Sequence, residues 1–556
     1  MRRNGFVIMA KLITLVGSFF FVMLLAILNG IIGNLCAMGV TIFASLGIAK
    51  ALGEAIILPW WAIITLIAAS GLLRGILRYF EQYSNHYIAF KLLAIIRDKI
   101  FRQLRILAPA KLEEKKKGSI ISMLTADIET LEVFYAHTIS PICIAFICSL
   151  TIVLFVGFVA SWYLSLVALG AYIIIGIIIP IISSNLLKNT GVKYRNDFSN
   201  FNSYFLDSIK GVKEILLNNA VKERKEEIAS RSDTLIKSTT KIKRKTSISY
   251  GITELFVSII IALTLFIGII LYKNNEITIG KMIIGVVAIF SSFGPVIAIS
   301  ALPGNLTQTF SSGDRVINLL EEKPKVYDIE NKKDFDFEKL EINNLTFKYD
   351  DKPILKNISL NVNKGEIVGI VGESGCGKST LLKLLLRFYE SEGIKYNGID
   401  INNINSESLY KNVTMISQNV YLFDETIKYN LLVANPNATD EEIFDACKKA
   451  SIHDFIMSLP NGYDTIVGAK ADNLSAGEKQ RIGLARSFLR GANLILLDEV
   501  TSNVDSINEG IILKALKEQK KDKSIIMVSH RESTMAIADR TYYIENGEIR
   551  WRYEWF

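Results

Sequence analysis

A chain of 556 residues, half of them hydrophobic and only 21% charged, with a mean hydropathy of +0.31, is too apolar for a soluble protein of this length, so a membrane component is expected. The net charge of +8 sits beside apolar segments, which fits basic loops held at a membrane face and argues against a nucleic-acid-binding surface. The five cysteines, Cys36, Cys143, Cys148, Cys376 and Cys447, show no paired spacing, so no disulfide framework or zinc site is suggested.

Up to about Gly304 the chain carries apolar runs at 7–47, 56–75, 138–160, 161–187, 247–272 and 277–302. Each is about 20 residues or longer, enough to cross a bilayer as a helix, and six crossings are predicted. The first run is long enough to include an interfacial lead-in. It lacks the pattern of a cleaved signal peptide, so it is read as a retained membrane helix with a cytosolic N-terminus.

The connections alternate in character. Those after the first, third and fifth runs are short, with Lys50 and Lys273 as their basic residues. Those after the second and fourth are long and hold Arg97, Lys99, Arg102, Arg105, Lys193, Arg195, Lys222, Arg224 and the basic run 241–245. Basic residues stay on the cytoplasmic side, so both long connections are cytoplasmic. YIAFKLLAIIRDKIFRQLRIL repeats apolar residues at helical spacing with no breaker between Arg78 and Leu107, which predicts membrane helices that continue into the cytosol. Within the crossings stand Asn29, Asn34 and Glu254. An ionisable group at membrane depth faces a cavity or sits near the headgroups, so Glu254 is a candidate pathway residue.

From about Phe335 the pattern becomes that of an α/β domain. The expected division is a helical membrane domain at 1–320, a linker at 321–337 and an α/β phosphate-loop ATPase domain at 338–556. Short β-rich runs, EIVGIVG, NLILLDE and KSIIMVSH, alternate with helical ones, which argues for a mainly parallel sheet covered by helices. The segment Gly372, Glu373, Ser374, Gly375, Cys376, Gly377, Lys378, Ser379, Thr380 fits the phosphate loop, between a strand-like EIVGIV and a helical LLKLLLRFY. Its glycines let backbone amides wrap phosphates, Lys378 reaches the β and γ phosphates, and Ser379 holds magnesium. Downstream, LILLDE is an apolar strand ending in Asp498, a magnesium-organising carboxylate. Glu499 beside it is placed to orient or deprotonate the attacking water.

With LSAGEKQR just before that second element, this half resembles the nucleotide-binding domain of ATP-binding cassette (ABC) transporters, whose signature there is usually LSGGQ. The resemblance implies that Tyr349 stacks on adenine, that Gln418 reaches magnesium and touches the membrane domain, that Asp505 crosses to a partner, and that His530 senses the γ-phosphate. It also implies that Ser475, Ala476, Gly477 and Glu478 act on the ATP held by a second copy of the domain. Six crossings with one such domain make half of an exporter, so ATP and magnesium, a second half-transporter, a lipid bilayer and a bacterial cytoplasmic membrane are implied. The implied motion is closure of the two ATP domains, pulling on coupling segments near 118–134 and 204–220. Three positions depart from the family pattern. Ala476 replaces a glycine, Glu478 replaces a glutamine and brings a negative charge that either weakens binding of the partner's ATP or is solvated, and Ala469 stands where exporters often have a glutamate.

The stretch from Arg78 to Pro141, with GVKEILLNNA, is similar to the CydC-type subunit of the heterodimeric transporter for cytochrome bd assembly, associated with haem and with cysteine or glutathione. That resemblance implies a heterodimer and places His86 as a haem ligand. Arg78, Gln82 and His86 share one helix face. His137 is the other histidine before the ATP domain, and Asn305 stands near where a second ligand would be sought. Other cargo classes remain open: a peptide, a lipid or a drug. A regulatory half-transporter with weak ATPase activity is the remaining alternative, and the presence of Glu499 and His530 argues against it.

Overall fold

The computed structural model describes residues 5–14, 17–115, 117–300, 302–327, 332–349, 351–468, 473–502, 504–531 and 533–550; Ala469 lies outside them. The chain divides into two compact units, one of Met1–Arg105 with Lys115–Glu322 and one of Ile106–Glu114 with Lys323–Phe556.

Among the described residues, the first unit holds six helices long and apolar enough to cross a membrane: Phe20–Ala51, Trp60–Leu107, Gly118–Val159, Trp162–Leu187, Val221–Lys273 and Ile279–Ser300. Both faces of these helices are apolar. Inward faces build a core around Cys148, Ile152, Leu164, Ala168, Ile289 and Phe293. Outward faces leave Phe146, Phe158 and Phe266 exposed, as expected where lipid replaces water. The lead-in is a separate helix, Gly5–Thr14, held by burial of Ile8 and Leu12 and by the Tyr135 hydroxyl donating to the Leu12 carbonyl at 3.1 Å.

Two helices far exceed the ~30 Å hydrocarbon layer. Trp60–Leu107 has 48 residues and Val221–Lys273 has 53, about 70 and 80 Å at 1.5 Å per residue. The unbroken helical pattern of the sequence therefore does continue beyond the membrane. Val221–Lys273 runs beside Ile179–Lys210, fastened where the guanidinium groups of Arg224 and Arg231 clasp the Tyr204 ring at 3.8 and 4.1 Å.

The stretch 118–134 belongs to the membrane unit, where Asp127, at the end of a π-helical turn, accepts from Ser312 Oγ at 3.1 Å and from Arg315. The part of that connection that packs with the second unit is Ile106–Glu114. Ala110 joins the second unit's core, and Lys383 Nζ donates to Glu113 Oε2 at 2.6 Å. At the other connection, Val212–Leu217 forms a short helix whose Val212, Leu216 and Leu217 are exposed.

The second unit contains strands β1 (Lys339–Tyr349), β2 (Lys352–Asn363), β3 (Ile367–Gly372), β4 (Ile394–Tyr396), β5 (Ile399–Asp400), β6 (Val413–Ile416), β7 (Leu494–Asp498), β8 (Ser524–Ser529), β9 (Arg540–Glu545) and β10 (Glu548–Arg550). One sheet is antiparallel with order β2-β1-β4-β5. The larger has order β10-β9-β3-β8-β7-β6 and is parallel apart from β10. Its central strands read as continuous apolar runs because both faces are covered, one by the antiparallel sheet with the helix Lys378–Leu385 and the other by helices: Ile367, Val368, Ile370, Leu494 to Leu497 and Ile525 to Val528 are all buried. The loops that follow β3, β7 and β8 leave from the same, carboxyl edge of the sheet, where open α/β sheets bind ligands.

Candidate functional site

The phosphate loop lies between β3 and the helix Lys378–Leu385. Gly377 takes φ +108°, and a Cβ there would come 2.6 Å from Leu355 Cδ2, so only glycine admits both the left-handed turn and the close approach to β2. Lys378 is 4% exposed. Its ammonium donates to the carbonyls of Gly372 and Glu373, both at 2.8 Å, which bends the side chain back over the loop.

The carboxylates at the end of β7 face that loop. Ser379 Oγ donates to Asp498 Oδ1 at 2.9 Å. Burial pushes the Asp498 carboxyl above the ordinary range, and the Ser379 hydrogen bond only partly offsets this. A buried carboxylate beside a hydroxyl is a hard oxygen pair. The separation of 2.9 Å also matches the ~2.9 Å between neighbouring ligands of an octahedral magnesium with bonds of ~2.1 Å. These residues therefore fit Mg2+, which would supply charge neutralisation for phosphates.

Glu499 is the hub of the site. It adopts a left-handed φ of +49°, an arrangement that costs a non-glycine residue about 1–3 kcal/mol and persists where surroundings impose it. Gln418 Nε2 donates to Glu499 Oε2 at 3.2 Å, His530 Nδ1 lies 3.3 Å from Glu499 Oε1, and Lys378 Nζ lies 4.0 Å from the same oxygen. Tyr349 ends β1, its ring packed edge-on against Phe347 and Tyr389 at 5.0 and 5.2 Å.

The signature opens the helix Ala476–Arg490, and the Glu478 side chain is engaged at that helix start. Ser475 is the N-cap: its hydroxyl accepts from the Glu478 amide at 3.3 Å, while the Glu478 carboxylate accepts from the Ser475 amide at 2.7 Å. The carboxylate is thus engaged by its own helix start in a reciprocal capping box. S-A-G-E is itself a capping-box pattern, so the signal was present in the sequence.

Three residues tie this helix to the rest of the site, and no local pattern announces them. Gln480 Nε2 donates to the Gln418 carbonyl at 2.6 Å. Arg481 donates to Asn508 Oδ1, and Asn508 Nδ2 donates to Asp505 Oδ2 at 2.7 Å. Asp505 caps the helix Ser506–Glu518. The backbone and side-chain amides of Asn508, with that of Ile507, hold its carboxyl below the usual range. Ala476 begins the capped helix, and Gly477 lies so close to Asn508 that a Cβ would come 2.9 Å from Asn508 Cγ.

In the membrane unit, His86 Nδ1 lies 3.3 Å from Glu132 Oε1, and its ring stacks on Phe90. The His86 and His137 rings meet edge to face with centroids 5.2 Å apart. Two imidazoles on opposite sides of one iron, each bonded at ~2.0 Å, hold their ring centres about 6 Å apart. The pair therefore does not fit a bis-histidine haem site, and no step is assigned to haem. Glu254 is exposed on Val221–Lys273 and is not among the residues lining the polar cavity described below. The side chain of Asn305 lies outside the described residues.

Comparison with known proteins identifies the family. Residues 6–296 match the ABC transporter transmembrane region and residues 355–502 the ABC transporter family. A Haemophilus influenzae protein named "Probable ABC transporter ATP-binding/permease protein" is 48% identical over 552 residues, covering 99% of this chain and 100% of that one. The ATP-dependent lipid A-core flippase of Syntrophus aciditrophicus is 27% identical over 86% of this chain and 80% of its own. The structure of a bacterial Atm1-family ABC exporter with ATP bound superposes with a TM-score of 0.83 at 22% identity, over 94% of this chain and 93% of that one, a likeness of fold.

The chain belongs to the ABC transporter family. It is an exporter half-transporter of the bacterial inner membrane that couples ATP hydrolysis to transport and works as one half of a dimer.

Proposed function

We propose that Lys378, Ser379, Asp498, Gln418, Glu499 and His530 form one hydrolytic site, completed by the signature of a partner chain. The observation that supports it best is the convergence of Gln418, His530 and Lys378 on the Glu499 carboxylate. The phosphate-loop amides and Lys378 bind the β and γ phosphates, and Lys378 leaves the Gly372 and Glu373 carbonyls to do so. Tyr349 takes the adenine face. Glu499 accepts the proton of the attacking water, Gln418 orients that water, and His530 donates towards the γ-phosphate. Ser475, held at its helix start by Glu478, presents its hydroxyl and the first amides of the helix to the partner's ATP. Asp505, tied through Asn508 and Arg481 to the same helix, carries the state of one site to the other.

The exposed Val212, Leu216 and Leu217 at the tip of the second cytoplasmic connection support the need for a second chain to cover them. We favour a different subunit as that chain, from the CydC-type likeness; purification of a tagged chain from its own host, with the composition of the complex determined, tests it. For cargo we favour an amphiphile, because a relative is named as a lipid A-core flippase. The thiol-linked alternative is tested by uptake of labelled glutathione into inverted vesicles. The hydrolytic assignment is tested by phosphate release from the assembled transporter: Glu499→Gln should lower it about 100-fold or more with ATP binding retained, and equal rates would mean that this chain's own site is silent.

A further inference from the structure

We infer that the membrane unit holds a site for the anionic head group of an amphiphile, a phosphate or carboxylate, formed by Arg74 and Arg78. The inference rests on the exporter reading above and narrows its cargo.

A cavity of about 570 Å3 opens between the membrane helices, within the ~300–1,000 Å3 range of small-molecule sites. Its lining belongs wholly to the membrane unit. The polar side chains gathered there are Asn34, Arg74, Arg78, Glu81, Gln82 and His137. Much of the remaining lining is apolar, with Ile144, Pro295, Ala298 and Leu302. The lining thus holds two guanidinium groups and one carboxylate. Glu81, only 2% exposed, accepts from Arg78 at 2.7 Å, while the Arg78 side chain remains 57% exposed. Arg74 makes no hydrogen bond or ion pair among the described residues. The lining therefore carries an excess positive charge, with histidine neutral.

An arginine at membrane depth without a counter-ion is costly, and the fork of a guanidinium matches phosphate and carboxylate oxygens two at a time. Arg74 and Arg78 are one helical turn apart on the same face, so both forks can serve one head group. Depth separates an amphiphile from a soluble anion. The two arginines lie 14 and 18 residues past Trp60 (74 − 60 and 78 − 60), about 21 and 27 Å along the helix from its non-cytoplasmic end. That is the cytoplasmic half of a ~30 Å hydrocarbon layer, where a lipid-like molecule enters head first with its chain among Ile144, Pro295 and Leu302.

The test is equilibrium binding by calorimetry, without nucleotide, to the assembled transporter in phosphatidylcholine nanodiscs. The probes are dodecyl phosphate, dodecyltrimethylammonium and orthophosphate. Dodecyl phosphate should bind saturably, and Arg74→Ala and Arg78→Ala should each weaken it about tenfold or more, as loss of a charge-assisted hydrogen bond implies. Gly294 lines the cavity, and a Cβ there meets nothing within 4 Å, so Gly294→Phe should block binding with both arginines in place. Lys237→Ala, on the exposed cytoplasmic extension, should bind as the parent does. Equal binding of the cationic detergent, or unchanged affinity in both arginine variants, overturns the inference. Displacement by orthophosphate as tight as dodecyl phosphate assigns the site to soluble anions and overturns the amphiphile. Because no hydrolysis is measured, these outcomes stand apart from phosphate release, which tests the exporter reading itself.

Discussion

Glu478→Gln separates two roles for an acidic side chain at the start of the signature helix. A carboxylate about 6 Å from a partner's phosphate charge would repel it by about 0.7 kcal/mol in water and about 2.8 kcal/mol at an effective dielectric of ~20. Removing that charge would then tighten ATP by about 3-fold to 100-fold. In the structure the carboxylate instead accepts the Ser475 amide at 2.7 Å, a bond that glutamine also makes. The change then removes only an interaction with the helix dipole, about 0.3–1 kcal/mol. KM for ATP in Glu478→Gln should therefore stay within about threefold of the parent, measured as phosphate release from the assembled transporter. Glu478→Ala, which breaks the box, should cost about 1 kcal/mol and lower Tm by about 2–4 °C, and should slow turnover because Ser475 is no longer held at the cap. A tenfold or larger fall in KM for Glu478→Gln refutes the reasoning, since capping cannot produce it.

Ser475→Arg should damage turnover at the partner's phosphate loop while leaving nucleotide binding at this chain's Lys378 intact; photolabelling of each site distinguishes the two, and loss at Lys378 alone contradicts the assignment. Asp498→Asn bears on pH. Burial raises the Asp498 pKa, so the protonated form favours the fold: that contribution is complete below the unfolded value of about 3.9 and is lost as pH rises through the folded value. Asp498→Asn should therefore melt above the parent at pH 7.5 without magnesium, the gain should vanish towards pH 4, and magnesium should raise the parent alone. A parent that melts higher at pH 7.5 without magnesium refutes this. Lys378→Ala should abolish ATP binding, read by nucleotide titration, while the helix Lys378–Leu385 persists on its buried Leu381, Leu382, Leu384 and Leu385.

Much of the protein is legible along the chain because its determinants are local. A bilayer of fixed thickness demands a run of apolar residues, and each crossing supplies its own. The phosphate loop is contiguous, and its strand and helix flank it directly. The 48-residue helix from Trp60 needs only the absence of a breaker. Even Glu478 announces its partner three residues away, although its charge invites a reading against the phosphates.

The remainder depends on residues far apart in sequence. Ser379 and Asp498 are 119 residues apart, Gln418 and Glu499 are 81 apart, and Arg481 and Asn508 are 27 apart. Parallel strands deliver the first two pairs to one sheet edge, and helix packing delivers the third. The cavity adds residues from distant crossings to the Arg74 and Arg78 face, while Glu254, a lone acid in an apolar run, stays outside it. Likewise, packing against Lys383 and the buried residues around Ala110 joins Ile106–Glu114 to residues far along the chain. Hydrophobic run length and turn chemistry act over a few residues, so the order of amino acids alone settles which segments cross the membrane and which loop holds phosphate. Which charges meet is settled later, by how helices and strands pack across the whole chain.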